Sequence, residues 1–322
     1  MRACAFALIL ASLSGCAHNG QSTLDPRSDQ SRKIAHLWWG MLAAAVIVFA
    51  GAIVLMAIAR IRHNRRGLPV VGEEPEVATG LVVTFGIVIP VLALSALFFI
   101  ADIGVGKAVQ APAPSKTKLT IDIVGHQWFW EVRYPASGAV TANEIHIPAG
   151  TPVRVVATTA DVIHSFWVPE LNRKIDTIPD HPNSIELDAS RPGVYRGQCA
   201  EFCGLQHAHM GLTVYADPPA KFQAWLASQA KPAPPPPPAF MADQCASCHT
   251  LRGTPARGRI GPDLTHVGGR KTLAALTIPN TKDYLGAWIV DPQHFKPGNK
   301  MPALNVSGSD LQQLVDYLER LK

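Results

Sequence analysis

At 322 residues the chain has room for two or three domains, and a composition of 48% hydrophobic against 16% charged residues excludes a purely soluble enzyme and implies membrane segments. The net charge of +5 is modest for this length and comes without a basic–aromatic cluster, which excludes nucleic-acid binding. Six cysteines, at positions 4, 16, 199, 203, 245 and 248, do not read as a disulfide framework, because four of them make two close pairs of the kind that hold metals and cofactors.

Residues 1–16 open with Arg2, continue as an apolar run and end in Leu13-Ser-Gly-Cys16. This is the pattern of a secretory signal. Its last four residues resemble a bacterial lipoprotein cleavage box, which makes Cys16 the expected site of lipidation, and Cys4 is then discarded. The plainer alternative is an ordinary signal peptide cut nearby.

The segment 17–109 contains two uncharged apolar runs, about 37–59 and about 80–101, each long enough to cross a bilayer as a helix. Between them Arg60-Ile-Arg-His-Asn-Arg65-Arg66 puts four arginines into seven residues, which places this loop in the cytoplasm. The expectation is a two-helix transmembrane hairpin in a bacterial inner membrane, with the N-terminus and the C-terminal domains on the outer, periplasmic side. Glu73, Glu74 and Glu76 precede the second run; acids near the positive end of a helix explain them, and no proton-entry role is assigned.

Over 110–228 the period changes to two. Leu119, Ile121 and Ile123 alternate with polar residues, and Glu144-Ile-His-Ile147, residues 153–156, Ser184-Ile-Glu-Leu187 and Gly211-Leu-Thr-Val-Tyr215 repeat the pattern between Pro and Gly turns. Many short strands so punctuated predict a β-sandwich or barrel. Two motifs sit inside it: Gly125-His-Gln-Trp128-Phe-Trp130-Glu131, and His164 within Val162-Ile-His-Ser-Phe-Trp167. A third is denser: Cys199-Ala-Glu-Phe-Cys203-Gly-Leu-Gln-His207-Ala-His-Met210. Thiolates and a thioether are soft ligands and imidazole is borderline, a set that suits copper. Two thiolates can each bridge two metal ions if one more imidazole arrives from elsewhere, and His164 is that imidazole by type. A Cys199–Cys203 disulfide or a zinc site are the plainer alternatives, against which the nearby His and Met weigh.

Residues 229–239 include Pro232-Ala-Pro-Pro-Pro-Pro-Pro238 and read as an extended, semi-rigid linker that joins no core. The last domain, 240–322, begins with Cys245-Ala-Ser-Cys248-His249. Two thiols at this spacing can add across haem vinyl groups while the adjacent His ligates iron. Met301 is the lone methionine downstream, and Met opposite His suits electron transfer. The chain closes on an amphipathic helix with Leu311, Leu314, Val315, Leu318 and Leu321 on one side.

The cysteine-rich loop, the Gly-His-Gln-Trp segment and the run Leu171-Asn-Arg-Lys174-Ile-Asp176-Thr-Ile-Pro179 together resemble cytochrome c oxidase subunit II over nearly all of residues 30–225. Residues 239–322 resemble a class I cytochrome c. The fold class implied is a multidomain membrane protein: the two-helix hairpin, a cupredoxin-like β-barrel or sandwich, and an all-α cytochrome c domain.

By that resemblance Cys199 and Cys203 bridge both metals of a binuclear copper (CuA) centre. His164 and Met210 complete one copper; His207 and the Glu201 carbonyl complete the other. The Glu201 carboxylate points to a magnesium ion at the boundary with subunit I. Trp128 receives electrons over the copper site, Phe129 and Trp130 pack, and Lys174 and Asp176 face subunit I. Cys245, Cys248, His249 and Met301 hold haem c. The implied partners are the membrane, an oxidase subunit I of haem a and CuB type, subunit III, and a soluble cytochrome c or similar donor.

The implied function is electron delivery, through haem c and the copper pair, to subunit I for reduction of oxygen to water with proton pumping. The chain itself shows no oxygen-reducing site. The alternatives are the electron-delivery subunit of a nitric oxide reductase, a membrane-anchored redox carrier, and a copper-storage or delivery protein. His126, His146, His181, His209, His266 and His294 are expected to be hydrogen-bonded or solvated rather than ligands.

Overall fold

A computed structural model describes residues 20–64, 75–242, 245–306 and 308–322. The signal sequence with Cys16, and Glu73 and Glu74, lie outside the described residues. The chain divides into two compact units: Arg32–Val109, and Gln110–Lys322 together with residues 20–31.

The first unit holds two apolar helices, α1 (Asp29–Asn64, whose first three residues belong to the other unit) and α2 (Glu76–Gly106), each long enough to cross a membrane. They contain the runs 37–59 and 80–101. Their side chains are apolar all round and exposed rather than gathered on one buried stripe, which is what a lipid-facing helix requires. A π-helical stretch, Thr84–Val88, precedes Pro90 in α2. Proline lacks the N–H of an α-helical bond and its ring crowds the carbonyl four residues back, so the wider turn sits where the ladder is interrupted.

The second unit contains the β-domain. Its strands are β1 (Thr120–His126), β2 (Phe129–Tyr134), β3 (Ala139–Ala142), β4 (Glu144–Pro148), β5 (Val153–Thr159), β6 (His164–Trp167), β7 (Ile175–Thr177), β8 (Asn183–Leu187), β9 (Gly193–Cys199) and β10 (Gly211–Asp217). They form two five-stranded sheets, β3-β2-β1-β5-β8 and β4-β10-β9-β6-β7. Two pairings are parallel, β1 with β5 and β4 with β10; the rest are antiparallel. The inward residues of each strand, among them Ile121, Ile123, Val132, Ile145, Val155 and Val214, fill the space between the sheets. This is a cupredoxin-like sandwich. Residues 25–31 also lie on it: the Arg27 amide donates to the Glu170 carbonyl at 2.8 Å and the Ser190 amide to the Arg27 carbonyl at 2.9 Å.

Helix α3 (Pro219–Gln229) closes one end of the sandwich, with Phe222 in the core and Trp225 stacked on His146 at a centroid distance of 3.9 Å.

The last domain is mainly helical: α4 (Pro238–Ala242), α5 (Cys245–Cys248), α6 (Lys282–Val290), α7 (Pro292–Phe295) and α8 (Gly308–Arg320). It also carries a small ribbon, β11 (Thr272–Leu273) against β12 (Ile278–Pro279), so the all-α expectation holds for its core rather than for every residue. Thr281 caps α6 and Asp291 caps α7, each through a side-chain oxygen accepting a backbone N–H.

The proline segment differs from its expectation. Ala233 and Ala239 are buried in the core of this domain, the Ala233 amide donates to the Arg252 carbonyl at 2.8 Å, and Tyr317 Oη donates to the Pro234 carbonyl at 2.7 Å. Proline removes donors but not acceptors, and its rigid extended ribbon is ordered at low entropic cost, so it lies against the domain as a strap.

Tyr134 joins the sheets. Its buried hydroxyl donates to the His146 carbonyl at 2.9 Å and accepts from the His146 amide at 2.8 Å. Tyr134→Phe leaves both backbone groups without this partner and is expected to cost roughly 1–3 kcal/mol. Urea unfolding of the purified chain followed by tryptophan fluorescence checks it; an unchanged midpoint contradicts the assignment.

Candidate metal centre and cofactor cleft

Strand β9 is antiparallel to both β6 and β10. The C-terminal end of β9 therefore lies beside the N-terminal ends of its neighbours. His164 begins β6, Cys199 ends β9, and Met210 immediately precedes β10. The register is locked by the Cys199 amide donating to the Met210 carbonyl at 3.0 Å and the Ala200 amide to the Ser165 carbonyl at 2.9 Å.

Between Cys199 and Met210 the chain turns back over this end. The sulfurs of Cys199 and Cys203 are 3.7 Å apart, too far for a disulfide, and both cysteines are free and buried. His164 Nδ1 lies 4.0 Å from Cys199 Sγ, His207 Nδ1 3.6 Å from Cys203 Sγ, and Met210 Sδ 3.9 Å from Cys203 Sγ. The Glu201 carbonyl is 3.2 Å from Cys199 Sγ. Ligand atoms of His164, Cys199 and Cys203 fall within 4.8 Å of one another, the geometry of a preformed metal cradle. His207 and Met210 flank Cys203 beside that cradle. His209 stands apart, its Nδ1 within 2.7 Å of Gln206 Oε1.

Asp161 orients His164. Its carboxylate lies 2.9 Å from His164 Nε2 and accepts the Gln127 and Val162 amides at 2.7 and 2.8 Å. With Nε2 carrying the proton, Nδ1 presents its lone pair to the sulfurs. Burial alone would raise the Asp161 pKa, but the His164 hydrogen bond and the two amides hold it well below the usual carboxylate range. Burial alone would lower the His164 pKa; Asp161 and the Cys199 sulfur raise it instead. The 3.7 Å contact between the two sulfurs couples them: contact with Cys203, helped by His164, lowers the Cys199 pKa, while contact with Cys199 and burial raise that of Cys203.

Gln127 and Trp128 reach the same loop. Gln127 Nε2 and Trp128 Nε1 both donate to the Cys203 carbonyl, at 2.8 and 3.0 Å. Gly204 follows at φ +115°, and a Cβ there would meet Trp128 Cζ2 and Gln127 Nε2 at 3.1 Å, so the position requires glycine twice over. Trp130 is in the core, its Nε1 donating to the Met210 carbonyl at 3.4 Å. Phe129 stacks on His126 with centroids 4.4 Å apart. The Glu201 carboxylate points outward and pairs with Lys174 at 3.7 Å.

In the helical domain Cys245 and Cys248 bracket one helical turn, and the His249 amide donates to the Cys245 carbonyl at 2.9 Å. His249 Nδ1 donates to the Pro262 carbonyl at 2.8 Å, which fixes the tautomer and leaves Nε2 facing a cleft. Burial lowers its pKa and keeps the ring neutral, as a metal ligand must be. The cleft is lined by His249, Leu264, Trp288, Ile289 and Met301, and its wall includes Trp128 of the sandwich. Met301 is held in place by its own amide donating to Asn299 Oδ1 at 2.8 Å and by Gln293 Nε2 donating to its carbonyl at 2.7 Å. Two thiols beside an apolar cleft, with an imidazole and a thioether among its lining residues, fit a covalently attached haem.

Asp161, Gln127 and Lys296 escaped the sequence reading. Asp161 lies three residues before His164 and Gln127 lies inside the aromatic motif, so proximity was their only signal; Lys296 has none.

Residues 136–216 match the family described as "Cytochrome C oxidase subunit II, periplasmic domain" and residues 238–322 the family described as "Cytochrome c". The chain is similar to a cytochrome c oxidase subunit 2 of Alkalihalophilus pseudofirmus, 32% identical over 338 aligned positions covering 96% of this chain and 94% of the relative. It is similar to that of Bacillus subtilis, 30% identical over 98% and 96%. Among solved structures it resembles the periplasmic domain of cytochrome oxidase subunit II of Bradyrhizobium japonicum, at 32% identity and TM-score 0.35, covering 35% of this chain and 94% of that one.

Asp161→Asn keeps the size and removes the charge that fixes His164; copper affinity should fall roughly 10–100-fold, read by competition with a chromophoric chelator. Gly125→Ala should act in the same direction, because its Cβ would stand 2.7 Å from His164 Cδ2. Unchanged affinity in both variants contradicts the role given to His164.

Proposed function

The chain belongs to the cytochrome c oxidase subunit II family, and from that premise we propose that it carries electrons from a soluble cytochrome c or similar donor, by way of its own haem c and a binuclear copper centre, to subunit I of a proton-translocating oxidase. The coarse function, an electron-transfer subunit of an oxidase with a fused cytochrome c, follows from the family. The observation that carries the finer reading is the gathering of two thiols, two imidazoles and a thioether at one end of the sandwich, with Trp128 hydrogen-bonded to that loop on one side and lining the second cleft on the other.

When bound, the two coppers and the haem iron supply one-electron carriers, with no bond to substrate made or broken. The protein's part is to fix ligands and exclude water. Cys199 and Cys203 would supply the thiolates shared by the two coppers. His164 and Met210 serve one copper, and His207 with the Glu201 carbonyl serves the other. Holding His164, Cys199 and Met210 at three strand ends of a rigid sandwich, with the loop between the last two folded over them, would keep the donors in place as charge changes, which favours fast transfer. The Glu201 carboxylate, outside the cradle and beside Lys174, would contribute to a magnesium site at the boundary with subunit I. Cys245 and Cys248 would attach the haem covalently, and His249 and Met301 would ligate its iron. Trp128 receives electrons at the copper site.

In this reading residues 1–16 are a signal with Cys16 lipidated, 17–109 anchor the chain twice through the inner membrane, 110–228 form the copper domain, 229–239 the proline strap and 240–322 the cytochrome. Both ends face the periplasm, and subunits I and III are the membrane partners.

Full-length chain, matured with haem and loaded with copper, should contain two coppers per haem and give an electron paramagnetic resonance signal with the spin shared over both. One copper with a localised signal, or zinc in its place, overturns the binuclear assignment.

A further inference from the structure

The loop that carries Met301 also crosses to the sandwich. Lys296, at its start, is only 2% exposed. Its Nζ donates to the Trp128 carbonyl at 2.7 Å, the His209 carbonyl at 2.7 Å and the Ala274 carbonyl at 3.1 Å. Burial lowers its pKa to about 7, and in the ammonium form all three of its N–H donors are taken. Two acceptors belong to the sandwich, one on the tryptophan beside the copper loop and one directly before Met210. The third belongs to the cytochrome. A lysine with no interdomain task keeps its charge in water, since burying an ammonium is costly without fixed polar partners.

The neighbours of Lys296 point the same way. Gln206 Nε2 donates to the Pro297 carbonyl at 2.8 Å, and Lys300 Nζ is 3.6 Å from Asp161, the carboxylate that holds His164. On the cytochrome side Ala274, Ala275 and Leu276 stand in the left-handed region at φ +52°, +58° and +68°, a conformation non-glycine residues adopt at a cost. That strained turn presents the Ala274 carbonyl to Lys296 and the Ala275 carbonyl to the Gly211 amide at 3.2 Å. Strain held at a contact surface is offset by the contacts it makes.

We propose that Lys296 is a positioning residue that latches the cytochrome domain onto the copper domain, keeping the haem cleft closed over Trp128. The fused cytochrome is then a docked component, not a tethered one that finds its site anew for each electron. The three acceptors sit on separate segments, so sliding or tilting the cytochrome breaks the set. This inference rests on the reading that the resident haem feeds the copper centre.

Two measurements on the full-length holoprotein test it. In the unaltered chain, acetic anhydride should modify Lys300, whose side chain is 54% exposed, and leave Lys296 unmodified, as read by mass spectrometry. Equal labelling of the two overturns the latch. In Lys296→Met, haem-to-copper transfer after flash reduction of the haem should slow about tenfold or more, the effect of losing charge-assisted hydrogen bonds from a docking equilibrium. The Met-to-iron absorption band and haem potential should stay unchanged, and added soluble cytochrome c should reduce the copper centre faster because Trp128 is uncovered. Lys296→Gln, which keeps two N–H donors, should recover part of the rate. Transfer in the unaltered chain with no change in Lys296→Met sinks the latch; no transfer in the unaltered chain sinks the underlying reading instead. If Lys296→Met fails to retain haem, the labelling result decides.

Discussion

The antiparallel pairing of β9 with both β6 and β10 is the constraint on which the sulfur-rich site depends. It alone brings the start of β6, the end of β9 and the start of β10 to one edge, and so sets His164, Cys199 and Met210 side by side although they are far apart in sequence. The loop Ala200–Met210 needs only to fold back over that edge to add Cys203 and His207. Backbone hydrogen bonds on both sides of Cys199 fix the edge, so the ligand atoms are brought together by the fold.

Around that edge the polar shell is economical. One carboxylate, Asp161, satisfies two amides and one imidazole, and one carbonyl, Cys203, accepts from both Gln127 and Trp128. The aromatic motif is therefore tied to the ligand loop by hydrogen bonds, not merely by packing. Gly125 belongs to the same design: the ring of His164 lies against it where a side chain would stand. In the cytochrome domain the Pro262 carbonyl plays the part that Asp161 plays in the sandwich, fixing which nitrogen of His249 faces the cleft.

The join between the domains lies within one compact unit. Gly138, Glu144, Gln206 and Gly211 of the sandwich meet Arg252, Lys271, Pro297 and Ala275 of the cytochrome domain through directional hydrogen bonds, and Lys296 sits among them with its ammonium spent on carbonyls. Polar contacts of this kind specify one orientation better than an apolar face would, since a small slide costs each bond. The proline strap adds to this by ending its run inside the cytochrome core at Ala233 and Ala239.

The sequence by itself determined the chemistry. Cys-x3-Cys-x3-His-x2-Met and Cys-x-x-Cys-His are local strings whose donors are fixed by covalent spacing, and the uncharged runs before them are long enough for membrane helices on composition alone. The period-two segments likewise announced a sandwich, because strand alternation is a local consequence of burying one face. What only the tertiary structure decided were relations between distant segments. The Gln127 amide on Asp161, Trp128 on the Cys203 carbonyl, the folding-down of the proline run and the burial of Lys296 all depend on sheet register and on one domain packing against another. A lysine in Phe295-Lys-Pro-Gly298 looks like any solvated lysine until the surface opposite it is known, since burial and partner choice belong to the fold and not to the residue.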